Sequence, residues 1–317
     1  MKDAIGGYFE LELRKGEHYH KDAIRLNTAR NCFEYILRAR NYKKVYIPYY
    51  TCEVMLEPIH KLGIPYEFYH INYELEPEIT PSIKANEAFL YTNYFGLKQA
   101  CIEELSSIYG NQLIVDNAQA FYAKRIDGID TFYSPRKFFG VPDGGYLYTD
   151  CKLDMEFPQD KSYERMHHLL IRIENGAESG YNMFKEAESS LGNRPIMHMS
   201  NITDRILRNI DYDSAIKVRR MNFAILHNKL SSSNLLCLNL DEETVPMVYP
   251  YLSDDPYLNN RLITNKIFVA TYWPNVFDWC SENSTEYRIT QGLTPLLLDQ
   301  RYNCKHLISK YIKLFNV

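Results

Sequence analysis

Between residues 29 and 148 the hydrophobic period of the sequence switches repeatedly from about 3.6 to 2 and back, and this alternation constrains the fold more than any other feature. Residues 29–41 put Cys32, Phe33, Ile36 and Leu37 on one helical face, with Asn27 and Thr28 ahead of them as capping candidates. A short strand is expected over 44–48, then a helix over 53–62 that stops at Gly63, a C-terminal signal. Residues 64–71 read as a strand with Tyr66, Phe68 and His70 alternating. Further strands are expected at 88–92, 112–115 and 145–148, with a helix over 102–109. Strand and helix in turn predict an α/β class, with a parallel or mostly parallel sheet under covering helices.

After residue 150 the pattern changes. Polar, irregular sequence passes Gly176 and Gly180 and reaches a long helix over 212–230, striped by Ile216, Val218, Met221, Ile225 and Leu230. Two strand-like runs, 245–249 and 267–270, and a helix over 305–315 complete the chain. The organisation reads as a large α/β domain over 1–200 and a smaller α+β domain over 201–317, the N-terminal 20 or so residues packing on the smaller one. Lys and Arg number 36 against 40 Asp and Glu, so no basic excess is available to neutralise a nucleic-acid backbone. Seven Cys form no CxxC pair and lie at no zinc-ligand spacing, so no metal is expected and the thiols read as reduced, in a cytoplasmic protein. Neither a signal-peptide core nor an apolar run of membrane-spanning length is visible. The 27 Tyr suit half-buried walls that carry a hydroxyl.

Ligands of open α/β sheets bind beyond the carboxyl ends of the strands. Four such ends carry polar residues: Pro48-Tyr49-Tyr50-Thr51-Cys52, Asn93-Tyr94-Phe95-Gly96, Asp116-Asn117-Ala118-Gln119, and Ser134-Pro135-Arg136-Lys137 leading to Gly144-Gly145. Singly, each has an ordinary explanation: a helix-capping Asp, a solvated Lys, a glycine turn. Together they suit an aldehyde cofactor with a pyridine ring. A desolvated Lys137 amine condenses with an aldehyde, and a carboxylate such as Asp116 keeps a pyridine nitrogen protonated. A phosphate needs amides at a helix N-terminus and hydroxyls, for which Thr28-Ala29-Arg30 and Ser134 are candidates. The constellation reads as a site for pyridoxal phosphate.

On these stretches, with Leu26-Asn27-Thr28-Ala29-Arg30-Asn31 and Gly180-Tyr181-Asn182 added, the chain resembles the DegT/StrS-type nucleotide-sugar aminotransferases, fold-type I pyridoxal-phosphate enzymes. The resemblance runs in order through most of residues 1–190. It implies the fold-type I architecture, with a mostly parallel sheet in the large domain and a smaller C-terminal α+β domain. It implies pyridoxal 5'-phosphate held as a Schiff base on Lys137, Asp116 against the pyridine nitrogen and Gln119 near the ring hydroxyl. Thr28 and Ala29 would hold the phosphate through main-chain amides, helped by Asn182 from the other subunit of a homodimer. Tyr94 would line the pocket, Arg301 would reach a substrate carboxylate, and the ring would be covered by Tyr50 or by another aromatic residue, because Cys52 stands where relatives often have an aromatic residue. Relatives with His in place of the lysine dehydrate sugars, and Lys137 argues against that chemistry.

The implied activity moves an amino group from an amino-acid donor, by analogy glutamate, to a keto nucleotide-sugar. Two alternatives share the architecture: a pyridoxal-phosphate enzyme of another reaction type, and a non-catalytic sensor or assembly relative. Other conspicuous residues have plainer readings. His167-His168 read as helix-surface residues. Trp273 and Trp279, bracketing Tyr272 to Phe277, read as packing or a substrate wall, and Arg219-Arg220 as a solvated or dimer-facing pair.

Overall fold

The computed structural model describes residues 5–302 except 239 and 242, together with 310, 311, 314 and 315. Seven strands, β1 (Ile24–Leu26), β2 (Lys44–Pro48), β3 (Tyr66–Tyr69), β4 (Glu87–Thr92), β5 (Leu113–Asn117), β6 (Asp130–Tyr133) and β7 (Gly145–Tyr148), form one sheet in the order β1-β7-β6-β5-β4-β2-β3. Helices α1 (Ala29–Arg40), α2 (Leu56–Leu62) and α3 (Gln99–Tyr109) connect them. Then come α4 (His167–Asn175), α5 (Tyr181–Ser189), α6 (Asn201–Arg208) and α7 (Tyr212–Leu230). A two-stranded antiparallel sheet of β8 (Val248–Leu252) and β9 (Leu293–Leu297) follows, with α8 (Leu258–Thr264), α9 (Val276–Trp279) and α10 (Thr285–Gly292) between its strands.

The expected alternation is present, and its direction matters. β2 pairs in parallel with β3 and β4, β4 with β5, and β5 with β6. β7 runs against both β6 and β1, so β1 points the same way as β6. Side chains alternate between two buried faces. Val45, Ile47, Leu90, Ile114, Phe132 and Leu147 meet α1 and α2, while Tyr46, Phe89, Tyr91, Val115, Tyr133 and Tyr146 face α3 and the C-terminal half. Tyr46, Tyr69, Tyr91, Tyr109, Tyr133 and Tyr146 prove to be core rather than half-buried wall. Tyr69, Phe89 and Tyr109 stack at centroid distances of 4.5 Å, and the hydroxyls of Tyr69 and Tyr91 each donate to a backbone carbonyl at 2.8 Å. Such pairing removes the cost of burying a hydroxyl.

Helix α1 begins as its sequence suggests. Thr28 is the N-cap and its side chain accepts from the Asn31 amide, while Asn41 closes the helix in the left-handed conformation. Three strands, β1, β6 and β9, lay outside the sequence expectation. The run 267–270, expected as a strand, pairs with none: it leaves α8 through a turn in which the Ile267 amide bonds the Leu262 carbonyl, and β9 takes the place beside β8. The helix expected over 305–315 falls largely outside the described residues. The N-terminal segment does run along 204–209, with Arg14 N–H donating to Asn209 and Glu10 paired to Arg205.

The start of β7 is packed against the start of α1. A Cβ on Gly145 would lie 2.6 Å from the Thr28 carbonyl oxygen and 2.8 Å from the Cys32 sulfur. Both neighbours are fixed, one by backbone and one by core packing. Gly145→Ala should therefore cost about 1–3 kcal/mol of stability, the range for overpacking, measured by urea unfolding. Unchanged stability would mean that the two elements can separate.

Candidate active site

Because six of the seven strands point the same way, Thr28, Tyr50, Phe95, Asp116 and Ser134 all leave the sheet at one edge, and Gly144-Gly145 enters there. Lys137 ends a single helical turn, Pro135–Lys137, directly after β6. Pro135 supplies a preset φ, and its carbonyl accepts from the amides of Phe138 and Phe139 at 3.0 and 2.9 Å. Lys137 is open to solvent, yet protein crowds its amine closely enough to pull its pKa down, Arg136 adding to the effect while Cys52 and Asp116 oppose it. Its amine thus stands open at the strand ends, within electrostatic reach of Cys52, Arg136 and Asp116. Asp116, on the neighbouring strand β5, is 5% exposed. Burial pushes its carboxyl up to about 6, although the Ala118 amide donates to it at 2.8 Å and the Lys137 charge acts on it. The amine and the acid are therefore electrostatic neighbours, each driven toward its neutral form.

Gln119 is buried, and its Oε1 accepts from the Phe95 amide at 2.9 Å. Its Nε2 is buried without a hydrogen-bond partner among the described residues, as are Arg136 Nε and the Tyr50 hydroxyl. Arg136 pairs with Glu188 of α5, and burial together with the nearby Arg30 pulls its pKa down to about 10. At the N-terminus of α1 the Thr28 side chain satisfies only the Asn31 amide, which leaves the Ala29 and Arg30 amides free of helical acceptors. Ser134 is 7% exposed at the head of the Lys137 turn.

These groups fit pyridoxal phosphate. The chain offers a neutral-leaning amine, a buried acid, an unsatisfied amide donor, and a helix N-terminus beside two guanidinium groups. A buried donor without a partner costs about 1–3 kcal/mol, and Gln119 Nε2, on the loop that follows Asp116, is one that a bound polar group would relieve.

Other expected residues sit differently. Tyr50 and Tyr94 are both fully buried; the Tyr94 hydroxyl donates to the Tyr50 carbonyl at 2.9 Å, and Trp273 caps Tyr50 edge-on at 5.0 Å. Neither ring offers a face to the cleft. The ring beside Cys52 that retains open surface is Tyr272, whose hydroxyl is pushed up to about 12 by burial and by Cys52. Its segment is tied to the β2 loop by Asn275, whose side chain donates to the Thr51 carbonyl at 2.9 Å. Arg301 is held by both carboxylate oxygens of Asp299, at 2.7 and 2.9 Å. It lines a cavity of about 300 Å³ with Arg172, Lys266 and Tyr311, and neither Lys137 nor Asp116 borders that cavity. Asn182 is exposed on α5, His167 is exposed on α4, and His168 is partly covered by Phe184. Arg219 corrects the sequence reading: it is buried at 1% exposure, whereas Arg220 is partly exposed. Among the described residues no cluster of potential metal ligands occurs, and no helix is long and apolar enough to cross a membrane.

The raised Asp116 pKa has a direct consequence. The folded carboxyl keeps its proton up to about pH 6, the unfolded one to about pH 4. The acid thus favours the folded state most below pH 4, and that advantage is lost as pH rises to 6, a change of roughly 3 kcal/mol. In the cofactor-free protein Asp116→Asn should raise the melting temperature at pH 8 and leave it nearly unchanged at pH 4. A variant that melts lower at pH 8 would show that the carboxylate is well paired there.

No protein-family model matches the chain, and no curated protein matches it by sequence. Solved structures do match. A DegT/DnrJ/EryC1/StrS aminotransferase from Brucella abortus is 13% identical with a TM-score of 0.60, over 93% of this chain and 85% of that one. NtdA from Bacillus subtilis, with bound cofactor PMP, is 14% identical with a TM-score of 0.65, over 93% and 72%. GDP-4-keto-6-deoxymannose-3-dehydratase (ColD) is 15% identical with a TM-score of 0.62, over 92% and 87%. The resemblance carried by the strand-end motifs thus extends to the whole architecture: the chain has the fold of the DegT-type sugar aminotransferases and their fold-type I pyridoxal-phosphate relatives.

Proposed function

We propose that this chain is a pyridoxal-phosphate-dependent aminotransferase that moves an amino group from an amino-acid donor, glutamate by the motif resemblance, to a keto sugar carried on a nucleotide. The observation that carries the reading is the pairing of one partly desolvated amine, Lys137, with one buried acid, Asp116, at adjacent strand ends. The shared fold with sugar aminotransferases supports the substrate class.

When bound, pyridoxal phosphate supplies an electron sink for the carbon that gives up a proton. The residues divide the remaining work. Asp116, shielded from water, holds a positive charge at the far end of the cleft. Lys137, its charged form disfavoured by the protein around its amine, would hold the cofactor aldehyde and, as the neutral amine, would move the substrate proton. Gln119 Nε2, buried without a partner among the described residues, would donate to a ring oxygen. The Ala29 and Arg30 amides, with Thr28, Ser134 and Arg136 around them, take the phosphate. Tyr272 supplies the ring cover for which Tyr50 is too deeply buried.

We also read the active form as a homodimer in which Asn182 serves the partner's phosphate. The exposed Leu170, Ile173, Tyr181 and Phe184 around it on α4 and α5 support a covered face. The thiols and charge balance support a cytoplasmic setting. The two separate sheets support the division near residue 200.

Purified full-length chain incubated with pyridoxal phosphate should turn yellow, and borohydride should then fix the cofactor's mass on Lys137. Lys137→Ala should lose the visible band altogether. A colourless wild type that takes up no cofactor rules the proposal out. Added glutamate should bleach the band of the wild type, and a yellow protein indifferent to glutamate and to other amino donors would point to a different reaction. Mass spectrometry with a panel of keto nucleotide-sugars then identifies the acceptor.

A further inference from the structure

The residue after Lys137 is held from the C-terminal part of the chain by a group that plays no role in the proposal above. Arg219, on α7, is 1% exposed and has no carboxylate within ion-pair distance among the described residues. Its guanidinium carbon lies 4.6 Å from the centre of the Phe138 ring, and its Nε donates to Gln300 Oε1 at 3.1 Å. Gln300 Nε2 in turn donates to the Phe138 carbonyl at 3.0 Å. Phe138 is therefore gripped on its ring and on its main chain at once.

The other side of the same guanidinium reaches the segment that holds Phe95 and Gln119. Arg219 Nη1 donates to the Met247 carbonyl at 2.9 Å. The Met247 amide donates to the Phe95 carbonyl at 2.9 Å, and the Phe95 amide donates to Gln119 Oε1 at the same distance. Phe95 sits at φ 57°, a left-handed conformation that costs a bulky residue energy and persists only where its surroundings over-determine it. The carboxylate that acts on this guanidinium, Asp299, lies beyond ion-pair distance and is held by Arg301, so burying the charge is unfavourable compared with an apolar side chain of similar volume. What the charge adds is a rigid planar fork whose donors have fixed directions.

We propose that Arg219 is the positioning residue of the active site: through Gln300 and the Phe138 ring it fixes the segment that carries Lys137, and through Met247 and Phe95 it fixes Gln119. The role assigned to Lys137 rests on the function proposed above, whereas the two grips are features of the fold. A residue that only fills space would, when replaced, weaken the protein evenly. A positioning residue loosens the two segments it holds.

Hydrogen–deuterium exchange on full-length, cofactor-free protein separates these cases. In Arg219→Met, peptides covering 134–141 and 94–97 should exchange about tenfold faster, with α1 and β2 unchanged. Arg219→Lys should not restore protection at 134–141, because an ammonium cannot lie flat on the ring while donating to Gln300. Gln300→Ala should loosen 134–141 and leave 94–97 protected. Where Arg219→Met does not fold, the Gln300→Ala pattern decides alone. Exchange that rises evenly through the chain, or in neither segment, overturns the proposal. Borohydride trapping of pyridoxal phosphate should then mark Lys137 about tenfold more slowly in the loosened variants, and an unchanged rate in a loosened variant also overturns it. A wild type that never takes up pyridoxal phosphate would sink the functional reading and leave the exchange result to judge the grip.

Discussion

Strand direction is the constraint on which the rest of the structure depends. β1 to β6 all run one way, so the loops that follow β1, β2, β4, β5 and β6 emerge on the same side of the sheet. β7 runs the other way and begins on that side, which brings Gly144-Gly145 back against Asn27 and Thr28. Residues separated by more than a hundred positions, such as Thr28 and Gly145 or Arg30 and Arg136, become neighbours without any long excursion of the chain. The helices add a second regularity. A helix after a parallel strand starts at the ligand edge, so the N-terminus of α1 points to that edge with amides that have no helical acceptor.

Within that frame the surrounding protein shifts the charge balance of the site's two ionisable groups. Lys137 and Asp116 would both be charged on a free surface, and in the cleft burial drives both toward neutrality. A cationic group bound between them would favour the charged acid while leaving the amine free to react. Arg136 and Arg30, paired to Glu188 and Glu57, are close enough to act on each other's charge, and Arg136 stands next to the reacting amine. One short turn therefore carries both the nucleophile and a counter-charge for a phosphate, because Arg136 and Lys137 are consecutive.

What could be read from the sequence was local. Thr28 as a cap, Gly63 as a stop, Pro135 opening the Lys137 turn and the apolar runs of β4 and β5 each declare themselves within a few residues. The rest depended on partners far along the chain. β6 contains Asp130, a poor strand residue, which is accommodated by two bonds from Arg40, at 2.8 and 2.9 Å. The run 267–270 has strand-like composition but no neighbour to pair with. Arg219 looks like half of a solvated pair until Gln300, 81 residues away, shows where it points. Tyr272 reaches Cys52 only because Asn275 fastens its segment to the β2 loop.

Parallel strands are usually joined across a helix, but the link from β5 to β6 contains none. Rings do the covering instead. Phe121 lies 5.6 Å from Tyr19, 5.7 Å from Phe138, 5.1 Å from Phe139 and 6.0 Å from Tyr212. These side chains come from four separate stretches, the last of them at the start of α7. A chain emerging from the ribosome would therefore have its β5–β6 edge uncapped until residue 212 arrived, and we expect the final closure of that edge to be late and to depend on contacts distant in sequence.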